Sequence, residues 1–228
     1  MRWSRIMWNR VGFCVFLVGL LSVPNVASAE LYRWVFDQSV YQVDPGATVD
    51  VSVYLEEAIE AGDTPIFDSS QGDGLGSIGL AVYWNDAPPS DPAKVLNDSD
   101  VSENPAFDFV DTAAALADHA ELNELILFND PVYGVEDPTD TFRVLAGTFT
   151  FTAGSVAGEE TLIRATDLDP GQDDTLDSLG NVALDSLIAE ATATVNVVPE
   201  PGSLVLVLTG ALGGLALLYR RAHRASRP

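Results

Sequence analysis

The sequence predicts a mainly β protein, an antiparallel β-sandwich with one short helix, set between an N-terminal signal peptide and a C-terminal transmembrane helix. Three observations carry this. Apolar and polar residues alternate with a period of two in five separate segments between residues 30 and 198. Gly, Pro and Asp punctuate those segments. The charge is also partitioned: Arg2, Arg5 and Arg10 open the chain, Arg220, Arg221, Arg224 and Arg227 close it, and the middle holds four basic residues against 33 acidic ones, a net charge of −29. Basic ends around an acidic centre mark three environments: 1–29, 30–198 and 199–228.

Residues 1–29 read as a secretory signal peptide. The three arginines form the positive region, the 13-residue run VGFCVFLVGLLSV is the apolar region, and Ala27-Ser28-Ala29 offers small residues for cleavage after Ala29. As a permanent span the run falls short of the ~20 residues a bilayer needs. Lipid attachment at Cys14 is rejected, because Phe13 precedes it where a small residue is wanted and it sits at the start of the run. Cys14 is the one cysteine, so the exported chain has no disulfide, thiolate nucleophile or cysteine metal site.

In the middle, ATVDVSVYL places Val49, Val51, Val53 and Leu55 on one face, after a VDPG turn. SIGLAVYW repeats the pattern with Ile78, Leu80, Val82 and Trp84. FRVLAGTFTFT (142–152), with a bulge expected at Gly147, ETLIRATD (160–167) and AEATATVNVV (189–198) complete the five. Weaker strands are expected at 32–36, 40–43, 94–96 and 125–128. TAAALADHAELNEL, from about Asp111, is the one expected helix, of about two to three turns. The long loops 56–74, 85–106 and 129–140 are where function is expected to sit. The last element is the uncharged 16-residue run 204–219, slightly short for a hydrocarbon core of ~30 Å, with the arginine cluster after it held on the cytoplasmic side.

The acidic middle excludes a nucleic-acid partner and an anionic membrane surface. Catalysis finds no support, and the chain reads as non-catalytic: His119 is the single histidine of the middle, and no nucleophile elbow, phosphate loop, dinucleotide fingerprint or zinc ligand set accompanies it. Paired carboxylates for glycoside hydrolysis are the distant alternative, but among 33 acids close pairs arise by chance. Calcium is the one cofactor with a candidate loop. DLDPGQDDTLD gathers Asp167, Asp169, Asp173, Asp174 and Asp177, although it departs from an EF-hand at Gly171, Gln172 and Ser178; the alternative is a solvated acidic turn. Tyr54 and Tyr83 both point away from their strands' aliphatic rows, and so form a candidate aromatic patch for carbohydrate unless that face is covered.

Two resemblances add to this. Pro199-Glu200-Pro201, a short apolar helix with small residues and a terminal arginine cluster resemble the PEP-CTERM sorting signal of bacterial exported proteins. The resemblance implies recognition of Pro199, Glu200 and Pro201 by an exosortase-type enzyme. It also implies an inner-membrane intermediate held by 204–219, then release to the cell surface or an extracellular polysaccharide matrix. VDPGATVDVSVYL, GLAVYWNDA and VLAGTFTFTA are similar to cohesin-like β-sandwiches, within the broader Ig-like class; that family binds dockerin modules or, in relatives, carbohydrate, whereas this chain has long acidic loops and no dockerin-like segment. The function expected is an exported, surface- or matrix-associated structural protein, with a carbohydrate- or protein-binding module as the alternative. Replacing Pro199, Glu200 and Pro201 by alanine should leave the tail uncleaved and the protein in the inner membrane of an exosortase-bearing host. Fractionation with a mass measurement of the C-terminus checks this; wild-type processing would leave a generic anchor as the better account.

Overall fold

The computed structural model describes residues 31–59, 64–84, 90–138, 141–169, 171–180 and 182–198, together with Thr209 and Leu212, which are helical. Ala27, Ala29, the 199–201 motif, the terminal arginines and the rest of the 204–219 run lie outside the described residues. Among the described residues no helix is long and apolar enough to cross a membrane.

Two sheets face each other. One runs β12 (Ile188–Ala189), β1 (Tyr32–Phe36), β3 (Thr48–Ala58), β9 (Thr141–Thr152), β5 (Val101–Glu103), with β8 (Val135–Asp137) on the other half of the same β9 edge. The other runs β2 (Val40–Val43), β13 (Ala191–Val197), β10 (Glu160–Asp167), β4 (Leu75–Tyr83), β7 (His119–Leu125), β6 (Phe109–Ala115), with β11 (Leu176–Asp177) on β4. All five alternating segments are strands, as are 32–36 and 40–43. The stretch 94–96 makes only an isolated bridge from Lys94 to Thr152, and in 126–128, which follows β7, Ile126 N–H still donates to the Gly76 carbonyl of β4 at 2.8 Å but no strand continues. The pairing is antiparallel except at β1 with β12 and β2 with β13. These exceptions arise because the first run splits at 37–39 and passes from one sheet to the other.

The expected helix is a β-hairpin. Residues 109–115 and 119–125 pair as β6 and β7, and β7 pairs β4 from His119–Tyr83 to Leu125–Ser77. Ala, Leu and Glu favour helix by intrinsic propensity, but HAELNEL also alternates, and Ala120, Leu122 and Glu124 are buried while their neighbours are not. Burial against β4 overrides local preference.

The core lies between the sheets around Trp34, Trp84, Phe149, Phe151, Leu80 and Ile163, all 2% exposed or less. Trp84, just after β4, meets Phe151 of β9 edge-on at 5.7 Å, which ties one sheet to the other. Chain entry and exit lie at opposite poles. β1 starts beside the end of β3, where Ala58 N–H donates to the Leu31 carbonyl, whereas β13 ends beside Val43, whose carbonyl accepts Val198 N–H. The long loops at 64–74, 126–138 and 171–187 gather near the entry pole.

Glu57 closes that pole. It points inward from β3, is 2% exposed, and accepts hydrogen bonds from Tyr32 Oη (3.0 Å), Ile66 N–H (2.8 Å) and Phe67 N–H (2.8 Å). The loop after β3 is thereby folded back, and Phe67 is buried against Tyr32 at 5.8 Å. Glu57→Ala strands two backbone donors in a dry site, at roughly 1–3 kcal/mol each. Urea unfolding should therefore show a loss of about 2–5 kcal/mol, against about 1 kcal/mol for Tyr32→Phe; equal small losses would mean that the loop is not held this way.

Candidate functional site

The outer face of the first sheet carries a groove of about 490 Å³. Its floor is Tyr54 of β3 and Leu145 of β9, directly paired, and Ala106, Tyr133 and Val135 complete its lining. Val135 is 77% exposed, which is unusual for a valine in a strand. Beside the floor, Arg33, Glu56 and Arg143 stand in register across β1, β3 and β9. Glu56 is 1% exposed and holds both arginines: Arg33 Nε donates to Oε1 at 2.6 Å and Arg143 Nε to Oε2 at 2.6 Å. Arg143 Nη1 also meets Asp137 Oδ2 at 3.3 Å. A buried carboxylate bonded on both oxygens is fully compensated. Two of the four basic residues of the middle thus sit together, and the two arginines offset Glu56 and Asp137, while Asp37 and Glu136 leave the groove net acidic.

Tyr54 and Tyr83 do not form one patch. β3 and β4 belong to different sheets, so the two rings occupy opposite outer faces of the sandwich. Tyr83 stacks on His119 at 4.6 Å with Arg164 over its ring at 5.1 Å. His119, expected on a helix surface, lies in β7 between Asp118 and Glu121, at 2.8 and 2.9 Å. Burial alone would lower its pKa, but these two carboxylates outweigh burial and raise it.

The acidic loop assembles only in part. Asp167 and Asp174 come together; Asp169 accepts from Gly171 N–H and Gln172 within its own turn, Asp173 is exposed, and Asp177 is buried where it receives Val182 N–H. Asp185, absent from the sequence-predicted set, completes a trio whose carboxylate oxygens lie within 4.8 Å of one another. Its Oδ1 accepts Thr175 N–H at 3.0 Å, while Asp167 Oδ1, Asp174 Oδ1 and Asp185 Oδ2 are buried without a hydrogen-bond partner. Gly79 makes room: a Cβ there would come within 2.2 Å of Asp174 Oδ1. Burial first, then the neighbouring carboxylates, hold Asp167 and Asp174 above the ordinary carboxylate range. The tetrapeptide LDSL occurs at 176–179 and again at 184–187. That repeat is the one local mark of Asp185, and nothing in it says that the second copy folds back onto β10.

No family model matches the chain, and no curated protein matches it. Among solved structures, a type I cohesin–dockerin complex from Clostridium thermocellum aligns with a TM-score of 0.45 and 10% identity over 73% of this chain and 99% of that one. An enzyme described as catalysing macrocyclization in alchivemycin A biosynthesis aligns with a TM-score of 0.29 and 15% identity over 75% and 89%. The first is a resemblance to a cohesin domain over most of the chain; neither assigns a family.

The raised carboxyls have a thermodynamic signature. The folded protein keeps protons that the unfolded chain releases, so this cluster's contribution is intact below about pH 4 and is lost progressively as pH rises through neutrality. Asp68, Asp91, Asp108 and Asp169 are held below their ordinary value by backbone N–H donors, and so act only at the acid end. In chelator, the melting temperature should fall from pH 5 to pH 8, and Asp174→Asn should flatten that slope; parallel slopes would remove the cluster from the account.

Proposed function

We propose that the protein is an exported, non-catalytic binding module of the cell surface or extracellular matrix that takes a neutral polysaccharide chain in the Tyr54 groove. One observation carries this: a concave groove with tyrosine and aliphatic lining, whose acids Asp37, Glu136 and Asp137 outnumber Arg143 and so disfavour a polyanion, on a domain of net charge −29. Such a feature favours binding over a purely structural matrix role. It also disfavours glycoside hydrolysis, which needs two opposed carboxyls across the cleft. Of the groove's acids, Asp37 accepts from Tyr41 Oη and Ser52 N–H, Asp137 pairs with Arg143, and Glu136 is exposed. Delivery by signal peptidase and an exosortase-type enzyme rests on the order of elements at the two ends of the sequence.

A second reading is favoured by the three buried, unpartnered oxygens of Asp167, Asp174 and Asp185. A hard cation such as calcium wants oxygen ligands of this kind, and would supply the positive charge that shared protons otherwise provide. Millimolar calcium should then reduce the pH slope described above in the wild type and have no effect in Asp185→Asn; a calcium effect that survives Asp185→Asn would dismiss the site.

For the groove, the purified exported protein is titrated calorimetrically with a neutral β-glucan, a neutral xylan and the acidic polymer alginate. At least one neutral polymer should bind, alginate should not, and Tyr54→Ala should weaken binding at least tenfold, about 1.4 kcal/mol, without a change in melting temperature. Binding indifferent to Tyr54, or none to either neutral polymer, would overturn the reading; capture of a protein segment in the groove would replace the glycan with a peptide ligand.

A further inference from the structure

The core of the sandwich contains a carboxyl group that the groove reading does not use. Glu124 points inward from β7 and is 0% exposed. Its Oε1 accepts the backbone N–H of Asn104 at 2.6 Å, and its Oε2 is buried with no hydrogen-bond partner. Beside it in the sheet stand Ile78 of β4 and Val110 of β6, which carry no charge. Glu103, at the end of β5, is the charged residue whose field bears on it, and it adds like charge. No cation compensates Glu124 among the described contacts.

Asn104, 8% exposed, is where this core group meets the surface. Its side-chain amide donates to the Leu145 carbonyl at 2.7 Å, its Oδ1 accepts Ala106 N–H at 3.0 Å, and its own carbonyl accepts Phe107 N–H at 3.1 Å. Leu145 is the groove floor and Ala106 a groove wall, and Asn104 lines the groove itself. One residue therefore joins floor to wall, and its main-chain N–H is held by a single buried carboxyl oxygen.

We propose that Glu124 is a positioning residue and proton-operated latch for the groove: neutral, it holds the 104–107 turn closed against β9; ionised, it releases that turn. The proposal rests on the groove reading only for what the latch controls. The physical reason is asymmetry of cost. A neutral carboxyl in a dry core, with Asn104 N–H on one oxygen, leaves a single O–H unpaired, whereas a carboxylate there leaves a full charge with one donor and no counter-ion. Asn104 is its hydrogen-bond partner and reaches the surface, so a carboxylate that draws in water there displaces Asn104 and with it the Leu145 and Ala106 bonds. Burial raises the Glu124 pKa to about 8, which puts the change just above neutrality.

The test needs no ligand, so its failure and that of the glycan reading are separable. Amide signals of Asn104, Ala106 and Leu145 in the ¹⁵N-labelled exported protein are followed from pH 6 to 9.5, with ¹³C detection of the Glu124 carboxyl. The three amides should move with one midpoint near pH 8. The protection factor of the Asn104 amide should fall about tenfold for each pH unit on the approach to that midpoint, the slope of one linked proton, and level off above it. Glu124→Gln keeps the acceptor and removes the charge; it should fold, keep the Asn104 bond and show neither transition. A Glu124 carboxyl that titrates without moving Ala106 and Leu145, or one that does not titrate below pH 9.5, would overturn the latch. So would the same amide transition in Glu124→Gln.

Discussion

Strand β9 changes parity halfway along. Phe142, Val144 and Ala146 face the core in its first half, Phe149 and Phe151 in its second, and a strictly pleated strand cannot do both. The structure resolves the conflict by a register shift against β3 between Val53 and Tyr54, where Ala146 has no partner and Gly147 opposes Val53. Gly147 is needed because a Cβ there would press to 2.3 Å from Leu122 of the facing sheet. The shift puts Leu145 opposite Tyr54 and Arg143 opposite Glu56 on the outer face. Without the extra residue, either the aromatic half of the strand or the groove floor would point the wrong way. Core and groove are thus two results of one irregularity.

A domain with four basic residues and 33 acidic ones cannot neutralise its carboxylates by ion pairing. Guanidinium groups are concentrated on Glu56. Elsewhere the backbone does the work: Glu57 is met by Ile66 and Phe67, and Asp108 by Leu127, Phe128 and Asn129, each through main-chain N–H groups. A carboxylate satisfied in this way fixes the loop that supplies the donors. The long loops are consequently ordered by acids of their own or of the adjoining strands, and the high negative charge is compatible with defined loop geometry. Asp185 and Glu124 each accept one main-chain N–H, from Thr175 and Asn104, but like Asp167 and Asp174 each keeps a buried oxygen with no partner.

Strands were legible wherever apolar residues alternated on one side only, as in β3, β4, β9, β10 and β13. The β6–β7 hairpin was not, because Ala-rich segments fit both periods and the deciding partner, β4, lies far away in sequence. Alternation also says which side of a strand a residue takes, but not which sheet the strand joins; that is why Tyr54 and Tyr83 were expected together and lie apart. Glu57 and Glu124 were invisible for a different reason. Both occupy inward positions of their alternation, where a glutamate reads as an interruption of the apolar row, and only the three-dimensional donors show why it is tolerated. Half of the groove, Ala106, Tyr133 and Val135, comes from connecting segments and a three-residue strand that carry no period at all.

The exit of the chain has a mechanical meaning. β13 lies between β10, antiparallel to it, and β2, parallel to it, in the sheet that does not carry the groove. Tension applied through the residues that follow Val198 is directed along β13, across hydrogen bonds that run sideways to both neighbours. The load is then shared by the whole length of two ladders in shear, instead of being met by one pair at a time as in unzipping. A body hauled on through this strand would resist with its strongest arrangement while the Tyr54 groove, on the outer face of the other sheet, stayed out of the path of the force.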